Sequence, residues 1–232
     1  MGAGDATTNP SRLPVFLSSP PPERESLGTI LPRLFASGAF WTAVTLSALL
    51  TFIRIGFLTW TPTYLFEIAR AGGHIEVSGA IVESSMFPAA GVVAALAVGA
   101  LSDRLGRGRR APIMAASLAV VVVLVLALAH GGSRGPLAAA VLIAGIGLFL
   151  LGPYSLLAGA VALDIAGTRG TATATGIIDG VGYLAGAASG VVLGRMADRV
   201  GWSAAFDVVA AAALLATFVS GVWAVVVMRA RA

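Results

Sequence analysis

Six long apolar segments dominate this chain of 232 residues and limit what it can fold into. They cover approximately residues 39–67, 78–101, 111–130, 136–160, 172–195 and 203–228. A helix needs about 20 mostly apolar residues to cross the hydrocarbon core of a bilayer, and each segment reaches that length. Only 11% of the residues are charged, against about 25% in a soluble domain. The sequence therefore predicts an all-α membrane protein with six transmembrane helices.

The composition also excludes several functional classes. The chain has no cysteine, and His74 and His130 stand beside glycines at the ends of apolar segments, without the spacing of metal ligands. No Ser/His/Asp arrangement and no phosphate-binding glycine loop occurs. We expect no catalytic residues, no metal and no cofactor, and hence no enzyme.

The basic residues are arginines. Apart from Arg54, which lies within the first apolar segment, they stand outside the apolar segments or at their ends, which is typical of membrane topology and not of a nucleic-acid-binding face. With the amino terminus in the cytoplasm, the arginines concentrate on the inner side. The inner set is Arg12, Arg24, Arg33, Arg104, Arg107, Arg109, Arg110, Arg169, Arg229 and Arg231. The outer set is Arg70, Arg134, Arg195 and Arg199. This bias predicts a multi-pass protein of the plasma (inner) membrane with both termini in the cytoplasm.

Two domains are predicted. Residues 1–37 are rich in Pro, Ser and Gly, and we expect a disordered cytoplasmic arm or a linker. Residues 38–230 should form the six-helix transmembrane bundle.

An internal repeat divides that bundle. The pattern G-x-x-x-D-R-x-G occurs at residues 99–106, after the second apolar segment, and again at 194–201, after the fifth. With six crossings the two copies fall on opposite sides of the membrane. The sequence thus predicts two three-helix units of inverted topology, a pattern of many secondary transporters.

Small residues recur every fourth position in the same two helices, at Gly91, Ala95 and Gly99, and at Gly182, Gly186, Gly190 and Gly194. This spacing allows two helix backbones to approach closely in a membrane, so we expect close helix packing there.

Several motifs resemble a known family. Residues 99–110 are similar to the cytoplasmic-loop signature of the major facilitator superfamily. The stretch from Arg54 to Leu65 resembles the R-x-G-x-x-x-W-[ST]-P-T-Y-L motif of organophosphate:phosphate antiporters, which carry glycerol-3-phosphate and hexose phosphates. Residues 151–153 fit that family's Y-G-P region with Leu151 in place of Tyr, and residues 176–186 look like its penultimate helix.

The resemblance covers residues 40 to 232 and implies the carboxy-terminal six-helix half of a twelve-helix fold. It further implies a second six-helix half as partner: a missing amino-terminal half, a separate chain, or a second copy in a homodimer.

Arg54 is the strongest candidate for chemistry. An arginine in the bilayer core is costly and marks a pathway or a buried pair, and a guanidinium binds phosphate in a bidentate fashion. Ser47, Thr51 and Arg54 share one helical face, which suggests a polar stripe along a cavity, and we expect Thr51 to contact substrate together with Arg54. In the family, an arginine here binds substrate phosphate. The alternative is an internal salt bridge, for instance to Glu83.

Three further residues complete the predicted site. Asp179 and Tyr183 lie on a common face of the fifth helix, where Tyr183 matches a family tyrosine of the central cavity and Asp179 either contacts substrate or serves helix packing. Glu83 matches a family glutamate of a charge network, with a position at the outer water interface as the alternative. The family's acidic partner before the tryptophan is here Thr59, which alters that network.

The resemblance also implies a cytoplasmic gate that stabilises one conformation through charge pairs. Its residues are Gly99, Asp103, Arg104, Gly106, Arg107, Arg109 and Arg110. The arginines alone would also serve as topology determinants.

Taken together, these features predict a secondary transporter in a lipid bilayer for an anionic solute. An organophosphate exchanged for phosphate by alternating access is the expectation. The alternatives are a non-transporting membrane sensor of sugar phosphate and an inactive truncated transporter.

Overall fold

The computed structural model describes residues 27–72, 77–105, 110–131 and 135–229, and all regular structure within them is helical. In chain order the helices are α1 (Leu27–Phe35), α2 (Gly38–Ala71), α3 (Val77–Ser84), α4 (Met86–Leu105), α5 (Arg110–His130), α6 (Pro136–Leu156), α7 (Ala162–Val200) and α8 (Trp202–Arg229). A π-helical turn at Leu157–Val161 joins α6 to α7. The predicted all-α class is confirmed.

Six helices in the described part of the chain are long and apolar enough to cross a membrane, with α3 and α4 together providing one crossing. Their order and approximate positions agree with the six apolar segments of the sequence. The protein is therefore a multi-pass integral membrane protein.

The second crossing is interrupted at Ser85, which the sequence analysis did not predict. The hydroxyls of Ser84 and Ser85 bond the carbonyls of Ile81 and Val82 at 2.8 and 2.6 Å. Hydroxyl groups that bond nearby carbonyls compete with the helical pattern. Pro88, which has no backbone N–H, follows within the next turn, so the helix restarts at Met86 as α4.

Helix α7, which contains the fifth crossing, begins at Ala162, ten residues before the predicted start of the crossing at residue 172. Gly167 bends it, with φ 64° and ψ 179°, a left-handed backbone conformation that glycine adopts without a steric penalty. The hydroxyl of Thr171 donates to the Gly167 carbonyl just after the bend. Residues 162–171 therefore form a bent helical lead into the crossing, where a loop was expected.

Helix α1 corrects part of the prediction for the amino-terminal arm. Residues 27–35 are helical, and Ile30 and Leu34 are buried in the apolar core on one face of that helix. Ile30 packs beside Gly170 at the start of α7. Residues 27–35 are thus helical where a disordered arm or a linker was expected, and residues 1–26 lie outside the described part.

The crossings pack in pairs: α2 against α7, α4 against α6, and α5 against α8. In a repeat of two three-helix units, α2, α4 and α5 of the first unit correspond to α6, α7 and α8 of the second. The α2–α7 pair then corresponds to the α6–α4 pair, and the α5–α8 pair corresponds to itself. The contacts between α5 and α6 and between α8 and α2 interchange in the same way. This pairing agrees with the predicted inverted repeat of two three-helix units.

Individual contacts keep the same register. Gly186 of α7 faces Ile55 of α2, and Gly91 of α4 faces Leu151 of α6. Between these two equivalent contacts, the glycines are 95 positions apart in the sequence and the side chains that they face are 96 positions apart. The same offsets relate a second pair of contacts, Leu193 against Gly56 and Val98 against Gly152. The repeat therefore extends from the sequence motif to the helix contacts.

Three of the repeated glycines, Gly182, Gly186 and Gly194, pack closely against α2. A methyl group at Gly182 would lie 2.6 Å from the Ser47 hydroxyl oxygen, and one at Gly194 would meet the Trp60 ring. The Trp60 indole N–H also donates to the Gly190 carbonyl at 3.0 Å. By contrast, Gly99 has no atom within 4 Å of the corresponding position.

Polar contacts join helix ends. Arg110 at the start of α5 forms an ion pair with Asp164 at the start of α7. The Trp202 indole N–H of α8 donates to the Glu67 carboxylate of α2 at 2.6 Å. The second contact reinforces the packing of α8 against α2, whereas the ion pair joins α5 and α7, which have few other contacts in the described part.

Candidate functional site

Arg54 lies half-buried in the middle of α2. Its guanidinium carbon is 4.5 Å from the ring centre of Tyr154 on α6 and 5.7 Å from that of Tyr183 on α7. Among the described residues it makes no ion pair, and its buried Nε–H has no hydrogen-bond partner. Arg54 is thus a cation inside a membrane-spanning helix, held against aromatic rings and without a carboxylate partner in the described part.

A groove opens beside this guanidinium between α2, α4 and α6. Its volume is about 320 Å³, and it is open to the outside of the bundle. Arg54, Pro88, Gly91, Tyr154 and Ser155 contribute to its lining. A cationic group at the wall of an open groove can receive an anionic ligand.

Ser47 and Thr51 do not line an open cavity, contrary to the polar stripe expected from the sequence. Each is 1% exposed, because both hydroxyls pack against Gly182 of α7. Neither hydroxyl has a hydrogen-bond partner within the described residues, although Thr51 lies close to the Tyr154 hydroxyl. A substrate contact of Thr51 stays a prediction, and in this conformation the residue is covered.

Asp179 and Tyr183 share the α7 face that looks toward Arg54. Tyr183 is 56% exposed and stacks over the guanidinium as described above. Asp179 is half-buried and lies within electrostatic range of the Tyr154 hydroxyl. The structure therefore brings together Arg54, Asp179 and Tyr183, while their role in substrate binding stays a prediction.

Glu83 lies on the short helix α3 and is half-buried. Among the described residues it forms no ion pair, so the alternative of an Arg54–Glu83 salt bridge is not found. Its participation in a charge network stays a prediction.

The predicted gate motif is only partly visible. Arg104 is exposed at the end of α4, and Gly99 lies in the same helix. Arg110 forms the ion pair with Asp164, which sequence reasoning did not predict. Gly106, Arg107, Arg109 and the Asp103 side chain lie outside the described residues, so the gate itself is untested.

Tyr154 is the site residue that the sequence analysis missed. The motif at residues 151–153 directed attention to the position where Leu151 replaces the family's tyrosine. Tyr154 follows that motif immediately, and one turn of helix from Leu151 is enough to place its ring beside Arg54.

Comparison with known proteins agrees with this fold. Residues 7–190 match the Major Facilitator Superfamily. The "Glycerol-3-phosphate transporter" of Bacillus subtilis is 28% identical over 190 residues, which are 79% of this chain and 40% of that protein. The "Putative glycerol-3-phosphate transporter 4" of Arabidopsis thaliana is 32% identical over 69% of this chain and 30% of the relative. The mouse "Glucose-6-phosphate exchanger SLC37A2" is 28% identical over 69% of this chain and 32% of the relative.

The fold and these matches define a multi-pass membrane protein whose relatives are transporters, in agreement with the expectation that it is not an enzyme. Because the family match covers most of its length, the chain belongs to the Major Facilitator Superfamily. Its relatives confirm the resemblance to organophosphate transporters. The chain spans 40% or less of the length of these three relatives.

Proposed function

We propose that this chain is the six-helix half of a secondary transporter that carries an organophosphate in exchange for phosphate by alternating access. Arg54 binds the phosphate group of either solute. Asp179 and Tyr183 line the same site and contact the remainder of the organophosphate. Both termini lie in the cytoplasm and the bundle spans the plasma (inner) membrane.

The observation that carries this proposal is that Arg54 lies within a membrane-spanning helix without an ion pair among the described residues. A charged side chain within a membrane-spanning helix costs at least about 2.5 kcal/mol on insertion scales and usually serves a solute pathway or a buried pair. Since Arg54 has no paired carboxylate among the described residues, its charge is available to a ligand. A planar guanidinium matches the oxygens of a phosphate group in a bidentate geometry.

A second six-helix half completes the site. The groove at Arg54 is open to the outside of the bundle, and this chain spans 40% or less of the length of these relatives. Covering the groove with a second bundle would remove the guanidinium from lipid and leave an aqueous cavity between the two halves. The names of the relatives, two glycerol-3-phosphate transporters and a glucose-6-phosphate exchanger, support a phosphate ester as solute.

Binding of radiolabelled inorganic phosphate to the chain in lipid nanodiscs tests the anion site. Arg54→Ala removes at least one charge-assisted pair of hydrogen bonds, about 3 kcal/mol, and should weaken phosphate binding about 100-fold. Arg70→Ala is the matched control, because Arg70 belongs to the same helix but is exposed at its end. Equal binding by wild type and Arg54→Ala would contradict the assignment of the anion site.

Flux requires the second half. The chain co-reconstituted with its amino-terminal partner half in phosphate-loaded liposomes should exchange internal for external phosphate, and Arg54→Ala should abolish the exchange. Saturable binding without any exchange would refute the transport proposal and favour a sensor.

A further inference from the structure

We propose that Tyr154 is the positioning residue for Arg54: its ring holds the guanidinium with the N–H edge toward the groove, ready for an oxyanion. This inference rests on the proposed function, because the oxyanion is the phosphate group that Arg54 binds there. Tyr154 acts through Arg54.

Leu151 cannot perform this role. Its side chain fills the notch that Gly91 leaves on α4, so position 151 is committed to the packing of α6 on α4. Three residues farther along a helix, the side chain points about 60° away, with 3.6 residues per turn. That rotation turns the Tyr154 ring toward Arg54 of α2, within the same groove.

The ring contact constrains a guanidinium that forms no ion pair in the described part and whose Nε–H has no hydrogen-bond partner there. The guanidinium carbon lies 4.5 Å from the Tyr154 ring centre, well within the range of a cation–π interaction, whereas the Tyr183 ring is farther at 5.7 Å and more exposed. No carboxylate in the described part lies within ion-pair distance of the guanidinium. Stacking covers one face of the planar group and leaves the N–H groups at its edge free for hydrogen bonds.

Because Tyr154 is uncharged, it can orient the Arg54 guanidinium without neutralising its positive charge, and this favours anion binding. A carboxylate partner would position Arg54 equally well, but it would compete with an incoming anion. An aromatic ring restricts the rotamers of the arginine and leaves its net charge unpaired. Ligand binding then costs less side-chain entropy, and affinity rises without a competing anion.

The backbone around Tyr154 supports its placement. Pro153 is buried beside it, and the π-helical turn begins three residues after it at Leu157. π-helical turns within long helices are frequent at functional sites. Both features place Tyr154 at a local irregularity of α6 that faces the groove.

Variants at Tyr154 separate the ring from the hydroxyl. In the phosphate-binding assay, Tyr154→Phe keeps the ring and should bind like wild type. Tyr154→Leu removes the ring and should bind about 5- to 30-fold more weakly, the factor that corresponds to a desolvated cation–π contact. Tyr154→Met, which fills a similar volume without a ring, should behave like Tyr154→Leu and serves if the leucine variant does not fold.

An Arg54→Lys background supplies the decisive control. A lysine ammonium is also attracted to an aromatic ring, but it has no planar edge of N–H groups for the ring to orient. The Tyr154→Leu substitution should therefore weaken phosphate binding less in that background than in wild type. A purely structural role of Tyr154 would weaken binding equally in both backgrounds.

The outcomes distinguish this inference from the proposed function. Loss of binding in Arg54→Ala with wild-type binding in Tyr154→Leu and Tyr154→Met would overturn the role of Tyr154 alone. Equal weakening by Tyr154→Phe and Tyr154→Leu would also overturn it, since the hydroxyl would then carry the effect. No phosphate binding by the wild-type chain would overturn both.

Discussion

Replacing Gly194 by alanine will strain the contact between α2 and α7, because the Trp60 ring occupies the space where the new methyl group must lie. The Cη2 atom of Trp60 is 2.9 Å from that position and Cε2 is 3.3 Å from it. The ring cannot swing aside without losing the hydrogen bond from its N–H to the Gly190 carbonyl. Overpacking of this kind costs about 1–3 kcal/mol.

Gly190→Ala is the matched control, since no atom lies within 4 Å of its added methyl group. Both substitutions gain the same helix propensity, about 1 kcal/mol relative to glycine, so this gain cancels in their difference. The free energy of unfolding should therefore be about 1–3 kcal/mol lower for Gly194→Ala than for Gly190→Ala. Equilibrium unfolding by increasing SDS in lipid–detergent bicelles, followed by circular dichroism, measures that difference.

A second background tests the cause. In Trp60→Leu the ring is absent, and Gly194→Ala should then differ little from Gly190→Ala. The reasoning is refuted if the two alanine variants have the same stability with Trp60 present, or if their difference persists without it.

Three other substitutions test contacts described above, with stability measured by the same unfolding assay. Asp164→Asn should cost about 1–3 kcal/mol, between the values for exposed and buried ion pairs, and exchange of the charges at Arg110 and Asp164 should recover part of the loss. Trp202→Phe should lower stability by about 0.5–1.5 kcal/mol through loss of its hydrogen bond, while Glu67→Gln, which keeps an acceptor, should cost less. Gly182→Ala should weaken binding of inorganic phosphate to the chain in nanodiscs, because a methyl group there displaces the neighbouring turn of α2; unchanged binding would contradict the close approach of the two helices at this level.

The crossings and their repeat could be predicted from the sequence because a bilayer imposes length and apolarity on each helix. The glycines spaced by four predicted close packing, and Gly182, Gly186 and Gly194 do lie against α2. Helix α1 was missed because its two buried residues, Ile30 and Leu34, form too short a pattern beside many prolines and serines to distinguish it from a linker.

The sequence predicted the positive charge of the site at Arg54, but it did not predict which side chains are buried or stacked around that charge. Arg54 stood out because a cation within an apolar segment is rare. The burial of Thr51 depends on Gly182, which is 131 positions away, and the stacking of Tyr154 depends on how α6 is rotated against α2. Such distances and rotations are decided by packing between helices and leave no local signal in the sequence.

The glycine notches also determine where this bundle is stiff. Side chains that pack against the glycines hold α2 to α7 and α4 to α6, so that each pair forms a closely packed unit. Closely packed units resist bending and shear. Between the two pairs the coupling is weaker, since α2 has little contact with α4. The groove at Arg54 lies between the two helix pairs, where the packing is looser. Small rotations of one pair against the other would therefore change the width of the groove without deforming either pair.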